Sequence, residues 1–183
     1  MKLKKLNKLF ITVIFVLISI TFNGCDPFDD IYLTLALETE FSTIGAGSNI
    51  FISNGLCLSD FDDYNDNNED LEEIRYITSA YFTLNATQGL QGQNLTLTLY
   101  QADGSTQLFR YVIPTFVAAS YINNPLEIEL TQQEIADLNA YLTNPKEDKC
   151  FVATLEVSNV TASSTPYNLS SKLEFLTELK IKP

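Results

Sequence analysis

From residue 31 onward the chain alternates apolar and polar positions with a period of two. In 31–41 the odd positions (Ile31, Leu33, Leu35, Leu37, Phe41) are mostly apolar and the even ones mostly polar. That spacing puts one face of an extended strand on a core and the other in solvent. The pattern recurs at 49–58, where Asn54-Gly55 predicts a break, and at 74–84, with Ile74, Tyr76, Ala80, Phe82 and Leu84 on one face. It returns at 94–100 and 107–113, a hairpin joined through the Ala102-Asp103-Gly104-Ser105 turn. Short strands at 126–130, 150–157 and 172–181 complete the series. A different period governs one segment: Thr131 and Glu134 form a capping box, and Ile135, Leu138 and Leu142 follow at helical spacing. They predict a short helix over 132–142, ended by Asn144-Pro145. Eight strands and one short helix predict an all-β fold, a single β-sandwich of immunoglobulin-like or jelly-roll-like type over 31–183. Strand order is not written in the pattern.

The start of the chain follows neither period. Lys2, Lys4, Lys5 and Lys8 precede an almost unbroken apolar run over 9–22. A positive segment followed by an apolar one is the layout of a secretory signal, and the run falls short of the about 20 residues that cross a bilayer. It ends in Phe22-Asn23-Gly24-Cys25.

Those residues resemble the lipobox of bacterial lipoproteins, in which an apolar residue and two small ones precede a cysteine. Gly24 and Cys25 match; Phe22 and Asn23 are bulkier than the usual residues. The resemblance implies that residues 1–24 are a signal peptide. It also implies that the thiol of Cys25 receives a diacylglyceryl group, and that residues 25–30 tether the domain to a membrane. Two or three acyl chains hold a protein durably where one does so marginally. Asp26, Asp29 and Asp30 follow the cysteine. Acid there looks like the surface-export signal of Bacteroidota lipoproteins. In enteric bacteria, acid directly after the cysteine instead resembles an inner-membrane retention signal. The expectation is an outer-membrane, lipid-anchored protein, on the cell surface or the periplasmic face.

Charge narrows the function. The chain has 11 bases and 23 acids, and four of the bases lie in the first eight residues. Beyond the signal, seven bases face 23 acids, a net −16. Phosphate binding needs clustered Lys and Arg, so a nucleic-acid partner is excluded, and anionic head groups are disfavoured as a docking surface. The chain has no histidine, which removes the usual Ser-His-Asp and Cys-His catalysts and His-based zinc sites. Glu127, Glu129 and Glu156 lie on predicted strands as ordinary solvating acids, and no enzyme is expected. Two cysteines remain after Cys25. In an oxidising compartment Cys57 and Cys150 pair as a disulfide, or else stay as two buried thiols.

Segment 60–73 is the sharpest local feature, with eight acids and no base. Ca²⁺ takes six to eight oxygens from such side chains, which makes Asp60, Asp62, Asp63, Asp66 and Asp70 candidate calcium ligands. An EF-hand reading fails, because Asn68 stands where the glycine belongs and Ile74 where the last Glu does. The competing reading is a solvated acidic loop. Tyr81, Tyr100 and Tyr111 are either exposed for sugar stacking or packed in the sheets. The Asn-x-Thr/Ser triplets at 85, 94, 159 and 168 are incidental in a bacterial protein. The expected function is a non-catalytic, lipid-anchored envelope subunit that binds another envelope protein or a surface glycan. The alternative is a calcium-stabilised adhesin or glycan-binding module.

Overall fold

The computed structural model describes residues 30–182; Cys25 and the rest of 1–29 lie outside the described residues. Eight strands follow in order: β1 (Ile31–Gly45), β2 (Ile50–Cys57), β3 (Leu71–Ala86), β4 (Gln91–Gln101), β5 (Gln107–Val117), β6 (Leu126–Ile128), β7 (Cys150–Thr161) and β8 (Tyr167–Ile181). Two helices interrupt them, α1 (Asp62–Asn67) between β2 and β3 and α2 (Gln132–Leu142) between β6 and β7. Every strand read from the alternation is present, and α2 has the predicted bounds.

The strands form two four-stranded antiparallel sheets, β1-β8-β3-β6 and β2-β7-β4-β5. Each sheet interleaves early and late strands, which is the strand order of a jelly roll. It resolves the two topologies that the sequence left open. The inner faces make one core, in which Leu37, Phe41, Leu97, Leu99, Phe109, Leu155, Leu169 and Leu173 have no solvent exposure. Phe151 of β7 meets Phe175 of β8 edge-on across the layers at 5.4 Å, and Tyr141 of α2 meets Phe151 at 5.3 Å. Each fully buried Leu or Phe of this core contributes about 1.5–3 kcal/mol by burial.

The structure departs from the alternation in three places. β2 runs without interruption through Asn54 and Gly55, in register with Ala153 and Val152. Strand pairing with β7 outweighs the local turn preference of Asn-Gly. In β3 a register shift lies between Tyr76 and Thr78. One added residue reverses which parity faces inward. Past the bulge Ser79, Tyr81 and Thr83 are buried, while Leu84, and Ile77 within the bulge, are exposed. The single inward face expected for 74–84 therefore splits into two. Lastly, the acidic segment is not one loop: it holds a short helix, α1, in place of the one-helix expectation.

Alternating strand direction sorts the connections to two ends. Ile31, Leu71 and Ile181 meet at one end through their pairings. The connections there are 58–70, 102–106 and 129–149, which carry twelve acids and two lysines. At the other end the connections 46–49, 87–90, 118–125 and 162–166 carry no charged residue. The domain is thus electrically polar along its strands.

Candidate functional site

Of the residues singled out in the sequence, Cys25 lies outside the described part. Cys57 and Cys150 are joined as a disulfide with Cα atoms 3.9 Å apart. They sit opposite each other where β2 meets β7, and the ladder continues past them through the Leu58 N–H, which donates to the Lys149 carbonyl at 2.9 Å. The bond ties the last residue of the edge strand β2 to the first residue of β7. Asp148 lies beside it, and a carboxylate oxygen and the two sulfurs come within 4.8 Å of one another. With the sulfurs bonded to each other no thiolate is offered, and the Asp148 carboxylate accepts from the Ser59 N–H at 3.0 Å and its hydroxyl at 2.7 Å.

The five acids of 60–70 are distributed along a 3-10 turn, α1 and the turn after it. Asp60 accepts from the Cys57 N–H at 2.7 Å. Asp62 and Asp63 occupy the first turn of α1, where negative charge is favourable beside free backbone N–H groups. The Asp70 carbonyl accepts from the Lys182 N–H at 2.9 Å. Among the described residues, no three of these acids bring oxygens within 4.8 Å of each other. What fixes the segment is its underside. Tyr64 is buried and its hydroxyl donates to the Pro145 carbonyl at 3.0 Å, while Lys146 Nζ donates to the Glu69 carbonyl at 2.6 Å. Burial first, then the nearby Asp148, push the Tyr64 phenol above its ordinary pKa.

The tyrosines divide. Tyr81 is fully buried and edge-on to Phe116 at 6.2 Å. Its burial raises the phenol pKa, against the opposing hydrogen bond with Thr83. Tyr100 and Tyr111 are half-buried, and Tyr111 packs against the core. Sheet packing is therefore the role of Tyr81.

The two outer faces of the sandwich differ in chemistry. On the β1-β8-β3-β6 sheet, Lys172 pairs with Glu38 at 2.7 Å and Glu174 at 2.9 Å and lies 5.0 Å over the Phe82 ring, and Lys180 pairs with Glu72 at 3.0 Å. Both lysines are thus paired, and Ile77 and Leu84 of the same sheet stand exposed. On the β2-β7-β4-β5 sheet a row of directly paired residues runs Phe51, Glu156, Thr96, Val112. The next row runs Ser53, Thr154, Thr98, Arg110. Phe51 is 67% exposed, more than any other described aromatic. It borders a cleft of about 440 Å³ whose lining includes Asn49, Asn94, Thr96, Arg110, Glu156 and Ser158. No ion pair joins Arg110 to Glu156. The buried hydroxyl of Thr154, on the adjacent row, has no hydrogen-bond partner.

Toward the uncharged end this cleft borders a distorted stretch of β4 and β7. The register shifts twice, between Gln91 and Gln93 and between Gln93 and Thr96. Asn94 (φ 49°) and Asn159 (φ 51°) take left-handed backbone conformations, which asparagine tolerates better than other non-glycine residues. Asn159 Nδ2 donates to Gln93 Oε1 at 2.9 Å, and the Ser158 hydroxyl donates to the Gln93 carbonyl at 2.9 Å. Gly92 is needed for close approach: a Cβ there would stand 2.4 Å from Val157 Cγ1 and 2.9 Å from the Ser158 carbonyl. Sequence reading missed this face. Three successive apolar residues, Ile50-Phe51-Ile52, hide the phase of β2, although the buried Ile50 and Leu56 share a parity that points Phe51 outward. Arg110, one of only two arginines, sits among aromatics that read as core.

No family model matches the chain, and no curated protein matches it. Among solved structures it is similar to the infectious bursal disease virus VP2 subviral particle at 14% identity, covering 86% of this chain and 33% of that one, with a TM-score of 0.35. It is also similar to tobacco necrosis virus at 12% identity, covering 85% and 98%, with a TM-score of 0.36. A third likeness is to the decameric BFDV capsid protein at 10% identity, covering 82% and 99%, with a TM-score of 0.34. The chain spans about a third of the length of the infectious bursal disease virus proteins it matches. No described helix is long and apolar enough to cross a membrane.

Proposed function

We propose that the protein is a non-catalytic, lipid-anchored subunit of the bacterial cell envelope that binds a partner with its jelly-roll domain. The observation that carries the reading is Phe22-Asn23-Gly24-Cys25, standing six residues before the first residue of β1. Six extended residues reach at most about 20 Å, so an acylated Cys25 keeps the acid-rich end of the domain close to the lipid. The uncharged end and the Phe51 cleft are then the parts offered to a partner. The absence of histidine from the whole chain removes the His-based hydrolytic catalysts, which supports a binding role.

Mass spectrometry of the native protein tests this. The expected N-terminal peptide begins at Cys25 with acyl mass attached, and a Cys25→Ser variant leaves the outer-membrane fraction. A native protein that begins at Met1, or a serine variant that still sediments with the outer membrane, overturns the placement.

A further inference from the structure

We infer that the outer face of the β2-β7-β4-β5 sheet, from Phe51 to the Gln93–Asn159 pair, is a binding site for an uncharged glycan. The inference names the ligand class of the binding role proposed above, and its geometry stands without the lipid. A sugar ring offers two kinds of surface. Its C–H faces pack on aromatic rings, and its hydroxyls each donate and accept. Phe51 supplies the first need with a ring 67% exposed on a strand whose flanking residues hold the core. Planar polar groups supply the second. Asn49, Asn94, Arg110 and Glu156 line the cleft beside that ring, with the hydroxyls of Thr96 and Ser158 between them.

The charge balance selects among glycans. The cleft holds one guanidinium and one carboxylate, and the amide-lined cleft beside it (Gln91, Gln93, Thr115, Asn159, Thr161) holds none. The guanidinium and the carboxylate sum to no net charge, and the net −16 carried beyond residue 24 repels a polyanion. A protein partner fits less well. Phe51 and Val112 are the exposed large apolar side chains of the two rows, while protein interfaces of standard size bury a wider apolar centre. The local backbone supports a built site: two left-handed asparagines and two register shifts fall in the same stretch. Distortions of this kind re-aim side chains at the rims of binding sites. The Asn159–Gln93 bond then fixes both amides before a ligand arrives.

Calorimetric titration of the full-length, detergent-solubilised protein tests the assignment. Probes are neutral hexose oligosaccharides of the mannan, cellulose, starch and laminarin types, with oligogalacturonate and heparin fragments as anionic comparators. At least one neutral probe is expected to bind in the millimolar range or tighter, an interaction of about 4 kcal/mol or more. Phe51→Ala is expected to weaken it at least tenfold, and Glu156→Gln and Asn159→Gly several-fold. Melting temperatures of the variants verify folding, and Asn159→Gly keeps the left-handed backbone available. The assignment is overturned if no neutral probe binds up to about 10 mM, if anionic probes bind better, or if folded Phe51→Ala binds as the parent does. It is also overturned if Phe51→Ala instead abolishes co-purification of an envelope protein while sugars never bind. None of these outcomes depends on acylation of Cys25, so the anchoring proposal stands or falls separately.

Discussion

Removing the Cys57–Cys150 disulfide exposes how this sandwich holds its edge. β2 is an edge strand hydrogen-bonded on one side only, to β7. The cysteines are already partners in that ladder, and both are half-buried. A double Cys57→Ala, Cys150→Ala variant therefore keeps the backbone pairing and opens little cavity. Its main effect is on the unfolded chain, which loses a link between residues 93 apart. Loop closure over that span corresponds to about 4.6 kcal/mol at 25 °C in the chain-entropy treatment. For a domain of this size the loss translates into a fall in Tm on the order of 10–15 °C. Urea unfolding of parent and variant, monitored by far-UV circular dichroism, measures it. The slope m is expected to rise in the variant, because an unlinked unfolded chain exposes more surface. A stability loss under about 1.5 kcal/mol with m unchanged would refute the reasoning. It would mean that the unfolded ensemble already holds residues 57 and 150 together, or that the bond acts through the native state.

Four further outcomes follow from the geometry. Gly92→Ala drives a methyl into Val157 and the Ser158 carbonyl, and the thermal unfolding midpoint is expected to report a loss of about 1–3 kcal/mol; a neutral result would mean that the β4–β7 bulge yields freely. Thr131→Ala removes the hydroxyl that accepts from the Glu134 N–H at 3.2 Å, with an expected destabilisation of about 1 kcal/mol by chemical denaturation, and full stability in the variant would count against the capping box. The Asp103 carboxylate accepts from the Thr106 hydroxyl and the Thr106 and Ser105 N–H groups, which hold its pKa well below the ordinary aspartate range. A lowered folded-state pKa gives stabilisation that is present above the ordinary value and lost as pH falls through the lowered one. The amide resonances of Ser105 and Thr106 are thus expected to stay in place between about pH 5 and about pH 3, where unperturbed carboxylates titrate, and a midpoint near 4 would contradict the turn geometry. Chelation by EDTA followed by added Ca²⁺ is expected to leave Tm unchanged, since the acids of 60–70 do not converge; a rise of several degrees would show that they rearrange around an ion.

The legible part of the fold was the part set by period. Half-buried strands write their burial into every second residue, so all eight strands and α2 could be placed from the chain alone. Strand order could not, because interleaving is decided by pairings such as Ile31 with Ile181, which local spacing does not encode. The β3 bulge escaped for a related reason. Tyr76, Ile77, Tyr81 and Phe82 are all suitable for a core, so nothing in composition marks where the parity turns over. α1 was hidden by its own acids: their charge reads as a solvated loop, while a single buried tyrosine, Tyr64, ties the helix to the core. The disulfide was half legible, since two leftover cysteines suggest a bond without showing that the sulfurs meet. The Phe51 face is the reverse of all these cases. Its residues are unremarkable one by one, and only the register of β2, β7, β4 and β5 assembles them.

The separation of charge between the two ends of the strands also acts at a distance. A body with its acid gathered at one pole turns in an external field before it touches anything. Near a negatively charged partner approaching from solution the torque swings the acidic pole away and brings the Ser-, Ala- and Asn-rich pole forward. The effective range is the Debye length, about 8 Å in physiological salt and roughly 30 Å in dilute buffer. First encounters are therefore biased toward one orientation, and that bias is tuned by ionic strength while every contact inside the domain stays the same.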